Sequence, residues 1–126
     1  MKKTLIGICL ILSFLGCASP NKKNHTSKAD QYQLAMQFNN LGAKYVNKDM
    51  LDEAIMQFKR ALVINPDFAE AHNNLGVAYC KKKMFDDAAA EFKLAIKVNP
   101  DYCKAHDNLG FAYRCKNMFD EAIAEH

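Results

Sequence analysis

No serine follows Ser27, and no glycine-rich loop occurs anywhere in the 126 residues. The first absence removes a serine nucleophile from the body of the chain, and the second removes a backbone cradle for phosphate. Long apolar runs are also missing. The uncharged, mostly apolar run Thr4 to Leu15 is twelve residues, whereas a bilayer-spanning helix needs about 20. A concentrated basic face is absent too. The formal charge is +3, and it falls to +1 without Lys2 and Lys3, so nucleic acid is not an expected partner. The longest basic run, Lys81-Lys82-Lys83, falls at an expected helix end, where cations suit the negative end of the dipole. No histidine, cysteine or carboxylate set has metal-ligand spacing, and neither metal nor cofactor is expected.

What is present is ordinary globular material for one modest domain: 50% apolar and 25% charged residues. Cysteine is unevenly placed. Cys9 lies in the apolar N-terminal stretch and Cys17 just after it, which leaves Cys80, Cys103 and Cys115 in the body. An odd number leaves at least one free thiol. Cys103 and Cys115 fall on one expected helix about 18 Å apart, too far to bridge. Cys80 and Cys115 fall near the same ends of two neighbouring helices. They are either a disulfide or two small, half-buried side chains.

The N-terminus has the layout of an export signal: Lys2-Lys3, the apolar run, then Gly16-Cys17. Ser13-Phe14-Leu15-Gly16-Cys17 resembles a bacterial lipobox, with a permissive Phe14-Leu15 ahead of the glycine. That resemblance implies lipidation of Cys17, cleavage of residues 1–16, and a membrane anchor. Ordinary cleavage after Ala18 and an uncleaved anchor are the alternatives. Ala18 and Ser19 follow the cysteine rather than an aspartate, which by resemblance points to the outer membrane facing the periplasm in a diderm organism. Residues 17–29 are polar and aperiodic around Pro20 and are expected to form a tether.

From residue 30 to the end the chain repeats itself every 34 residues. Asn40, Asn74 and Asn108 fall in register, as do Leu41, Leu75 and Leu109; Gly42, Gly76 and Gly110; and Tyr45, Tyr79 and Tyr113. Met50, Met84 and Met118 follow, then Asp52, Asp86 and Asp120, then Ala54, Ala88 and Ala122. Apolar spacings of three and four read as amphipathic helix. A first helix is predicted from near Ser27–Asp30 to about Asn47. The second carries Ala54, Ile55, Phe58, Ala61, Leu62 and Ile64, and Asn65-Pro66 stops it. Asp67 and Glu70 fit an N-cap with its reciprocal acid. The turns between paired helices need a residue at positive φ; Asp49 and Asn117 suit it, whereas Lys83 is expected to strain or reshape its turn.

The segments NNLGAKY, NNLGVAY and DNLGFAY, each followed by MLDEA, MFDDA or MFDEA and then by FKRALVINPD or FKLAIKVNPD, resemble tetratricopeptide repeats from Ala35 onward. The resemblance implies an all-α fold, an α-solenoid of antiparallel helix pairs with about two and two-thirds repeats: 35–68, 69–102 and an incomplete 103–126. The last helix is cut at His126 and no capping helix follows, so a truncated array is expected. Histidines 72 and 106 share a packing column with Phe38.

By the same resemblance the first helix of each repeat lines a concave face that binds a protein or an extended peptide. The implied contacts are Asn39 and Asn40; Asn73, Asn74, Val77 and Lys81; and Asp107, Asn108, Phe111 and Arg114. Ala43, Val46, Asn47, Glu70, Cys80, Lys104 and Cys115 share that face. Asn40, Asn74 and Asn108 form either a ladder for a peptide backbone or a set of internal hydrogen bonds. Some relatives clamp a C-terminal carboxylate with paired basic residues, but Asn73 and Val77 stand at two of those positions. With no catalytic set in view, the leading expectation is a non-catalytic, membrane-anchored scaffold. By fold-level analogy it resembles lipoproteins that assist pilus assembly or outer-membrane protein insertion. The alternative is the N-terminal array of a longer glycosyltransferase or peptidase.

Overall fold

The computed structural model describes residues 26–124. The expected signal segment, Cys17 and most of the tether lie outside the described residues. Five helices follow one another: α1 (Lys28–Asn47), α2 (Leu51–Ile64), α3 (Ala69–Lys81), α4 (Phe85–Val98) and α5 (Cys103–Ala124). There is no strand among the described residues. α1 pairs with α2 and α3 with α4. α2 then packs on α3, α4 packs on α5, and α3 also touches α1 on one side and α5 on the other. This is an all-α solenoid of helix pairs with α1, α3 and α5 side by side.

Local chemistry sets each boundary. The Ser27 hydroxyl accepts from the Asp30 N–H at 3.1 Å, and the Asp30 carboxylate accepts from the Ser27 N–H at 3.0 Å. This reciprocal cap satisfies two donors at the start of α1. α1 and α3 end identically. The Met50 N–H donates to the Tyr45 carbonyl and the Met84 N–H to the Tyr79 carbonyl, both at 2.9 Å. Asp49 and Lys83 donate to Val46 and Cys80 at 3.0 and 2.9 Å. Both are Schellman endings, which need the left-handed region at the residue after the cap. Asp49 has φ of 59° and Lys83 of 62°. Lys83 therefore takes the same turn as Asp49 rather than reshaping it.

The Asn-Pro breaks are equally regular. The side-chain oxygens of Asn65 and Asn99 accept from the N–H groups of Asp67 and Asp101, at 3.3 and 3.2 Å. The expected Asp67–Glu70 cap does not form. Asp67 is already held in this turn, α3 starts with Phe68 in the N-cap position and no side-chain cap, and Glu70 turns toward Asn39.

Small residues let the pairs close. Ala54, Ala61, Ala71, Ala78, Ala88 and Ala95 have no exposed surface, and Phe58 and Phe92 are 1% exposed. Each phenylalanine lies on a glycine of the facing helix, Phe58 on Gly42 and Phe92 on Gly76.

The third copy departs from expectation. α5 runs unbroken for 22 residues, and Asn117 makes no turn. The two earlier turns hold a left-handed residue, which costs about 1–2 kcal/mol. Burial of a phenylalanine over the facing glycine contributes about 1.5–3 kcal/mol in return. At Gly110 no aromatic of the described residues returns; the nearest described neighbouring atom is a nitrogen of its own helix's Arg114. Over the described residues α5 keeps its hydrogen-bond ladder through the position of the earlier turns. Among the described residues no helix is long and apolar enough to cross a membrane.

Candidate partner-binding groove

The face shared by α1, α3 and α5 carries two clefts. The first, about 190 Å³, is lined by Ala43, Val46, Asn47, Phe58, Asn74 and Val77. The second, about 350 Å³, is lined by Val77, Cys80, Lys81, Phe92, Asn108 and Phe111. Adding 34 to each number of the first set returns the second set. They are one site built twice, with Val77 as the wall common to both.

The floor of each cleft follows from the glycine contact. Because Gly42 and Gly76 lack a Cβ, Phe58 and Phe92 seat a ring edge against the glycine and, at 1% exposure, floor the clefts. Sequence reasoning treated both phenylalanines purely as packing residues. The signal that they also floor a site was their position opposite the glycine column.

The expected contact residues divide into three groups. Val77, Lys81, Asn74, Asn108 and Phe111 line the clefts. Asn40, Asp107 and Arg114 are exposed but line neither cleft. Asn39 and Asn73 are corrected: they are 1% and 4% exposed, so a partner does not reach them. They join the repeats. Asn39 accepts from the Asn74 amide and Asn73 from the Asn108 amide, each at 2.9 Å, and Asn39 donates to Glu70 at 3.3 Å. Helical geometry explains the swap, since neighbouring positions cannot share a face. The inner asparagine of each Asn-Asn pair turns toward the adjacent helix. Asn74 and Asn108 spend one N–H inward and retain a carbonyl oxygen and a second N–H at the cleft wall.

Charge is sparse here. Lys81 is the only ionisable cation among the residues lining the clefts, and it makes no ion pair among the described residues. Its neighbour Lys82 is held by Asp52. Burial, with Cys115 nearby, pushes the Cys80 thiol up to about 11. Cys80, Cys103 and Cys115 are all free thiols. No three His, Cys, Asp or Glu side chains come together as a metal site among the described residues.

Away from the groove, His72 is buried between helices. Its Nδ1 lies 2.7 Å from the Glu91 carboxylate and its Nε2 2.8 Å from the Pro66 carbonyl. Burial acts to lower its pKa. The bonds to Glu91 and Pro66, with the charges of Glu91 and Asp67, outweigh burial and raise it above 6.5. His106 repeats the bond to a proline carbonyl, at 2.8 Å from Pro100.

Comparison with known proteins agrees with this architecture. The family model described as TPR repeat matches residues 42–83, and that described as Tetratricopeptide repeat matches residues 69–102. Residues 42–102 are thus built of tetratricopeptide repeats. Among solved structures, the first TPR of Spaghetti (RPAP3), bound to the HSP90 peptide SRMEEVD, is similar over 71% of each chain, with 29% identity and a TM-score of 0.66. The second TPR of the same protein, with the same peptide, shares the fold at 22% identity and a TM-score of 0.66, over 74% of this chain and 86% of that one. MamA protein is similar at 27% identity and a TM-score of 0.65; the match covers 76% of this chain and 52% of MamA. No curated protein sequence matches the chain.

Proposed function

We propose that this chain is a non-catalytic interaction scaffold that holds an extended segment of a partner protein along the α1–α3–α5 face. The observation that carries the reading is the duplication of one cleft, column for column, on adjacent repeats. A periodic site suits a periodic ligand, and an extended chain is the simplest one. Each cleft offers an apolar floor for a side chain and an asparagine whose remaining donor and acceptor suit a peptide unit. The peptide held by the first TPR of Spaghetti (RPAP3) supports the same class of partner. Lipidation of Cys17 would fix the scaffold to the cell envelope, and an assembly role there, such as pilus biogenesis or outer-membrane protein insertion, fits an anchored binding module.

Two experiments test the reading. The full chain is panned against a displayed random-peptide library, alongside Val77→Glu. Val77 borders both clefts, so captured peptides should be lost from the variant while its helical content stays. Peptides that bind both proteins equally would place the site elsewhere. Metabolic labelling with palmitate in wild type and Cys17→Ser tests the anchor: label should appear in the first and vanish in the second, and no label in either ends the lipoprotein reading.

A further inference from the structure

The two clefts share six columns but not their chemistry, and the differences are graded along the face. The first has Ala43, Val46 and Asn47 where the second has Val77, Cys80 and Lys81. Its far wall is Val77, where the second has Phe111, which is 50% exposed. The first cleft is therefore narrow and neutral. The second is nearly twice as large, walled by an aromatic ring, and carries a cation at its rim.

That cation has no internal role. Lys82 is tied to Asp52, and Lys83 forms the left-handed turn. Lys81 faces the cleft with no ion-pair partner among the described residues. An unpaired ammonium beside apolar surface favours a ligand that brings an anion next to an apolar group.

We infer that the groove selects segments with a small aliphatic side chain for the Ala43–Val77 cleft and a bulky apolar side chain beside a carboxylate for the Val77–Phe111 cleft. The carboxylate pairs with Lys81, and the apolar group packs against Phe111 over the Phe92 floor. Adjacent helices lie about 8–10 Å apart and an extended chain advances about 3.3 Å per residue, so the small and bulky side chains fall two or three residues apart. Asn74 and Asn108 meet the backbone between them. This specificity rests on the peptide-binding reading above.

Panning the full chain against a displayed random dodecapeptide library separates the two ideas. The expected pool pairs Asp or Glu with Phe, Leu, Met or Tyr, and places Ala or Val two or three positions away. Lys81→Glu should weaken a selected acidic peptide at least about tenfold, as like charges meet, and should select Lys- or Arg-bearing peptides instead. Phe111→Ala should lose the bulky preference and keep the acidic one. A pool that Val77→Glu abolishes but that has no acidic–bulky pairing overturns this specificity and leaves the groove as a peptide site. An unenriched library overturns both.

Discussion

The edge of Phe92 lies 2.5 Å from where a Cβ on Gly76 would stand, and Phe58 stands in the same relation to Gly42. The contact both closes each helix pair and shapes the cleft above it. Gly76→Ala adds one methyl group and gains helix propensity, but the methyl group must displace a ring that is only 1% exposed. The variant should lose about 1–3 kcal/mol to overpacking. Gly110→Ala meets nothing closer than Arg114 at 3.6 Å and should gain about 0.5–1 kcal/mol. Urea midpoints of the two variants should move in opposite directions; movement in the same direction would contradict the seating of Phe92.

Lys83 at φ 62° carries a strain that its sequence position announces and its structure retains. Lys83→Gly should raise stability by about 0.5–1 kcal/mol, the left-handed penalty less the entropy cost of glycine. Asp49→Gly should gain less, because aspartate tolerates this region better. Thermal melts of the two variants check the order.

The inner asparagines offer a sharper contrast. Asn39→Ala should cost about 1–3 kcal/mol by stranding the partners of a buried amide. Asn40→Ala, on the exposed face one residue later, should stay within about 0.5 kcal/mol. Equal effects in chemical denaturation would overturn the assignment of Asn39 to the repeat interface.

Periodicity made the repeating architecture legible, because a 34-residue offset places glycine and alanine in the same columns of all three copies and phenylalanine in the same column of the first two. The turn at Lys83 was legible in position but not in conformation. Tertiary closure, not the residue's own preference, decides it. The direction of the paired asparagines was not legible, since a repeating NN or DN pair does not say which member faces inward. The histidine column was read as packing. It is packing, but His72 also carries two hydrogen bonds, while Phe38 occupies the same column in the first copy and the Gln57 side-chain oxygen is left buried without a partner. The straight α5 was least legible, because the column shows which residues are equivalent and not whether they bend the helix in the same way.

Cysteine reactivity should follow the same burial. With its pKa near 11, Cys80 is almost wholly thiol at pH 8, with about one molecule in a thousand as the reactive thiolate. Iodoacetamide should label exposed Cys103 well before Cys80, as read by peptide mass spectrometry. Occupation of the groove should slow Cys80 further, since it lines the second cleft. Labelling of Cys80 as fast as Cys103 would show that the cleft wall is open.

His72 links stability to pH. Two acceptors face its two ring nitrogens, so both bonds are made only when both nitrogens carry protons. Folding therefore favours the imidazolium, consistent with the raised pKa. The folded value lies above the unfolded 6.5, so the contribution is fully present below pH 6.5 and is lost as pH rises through the folded value. Denaturant midpoints should fall over that window as the proton leaves one nitrogen and sets two acceptors face to face. Glu91→Gln replaces the charged acceptor with an amide of the same shape and should flatten the dependence. A slope that survives His72→Gln would assign the pH dependence to another group.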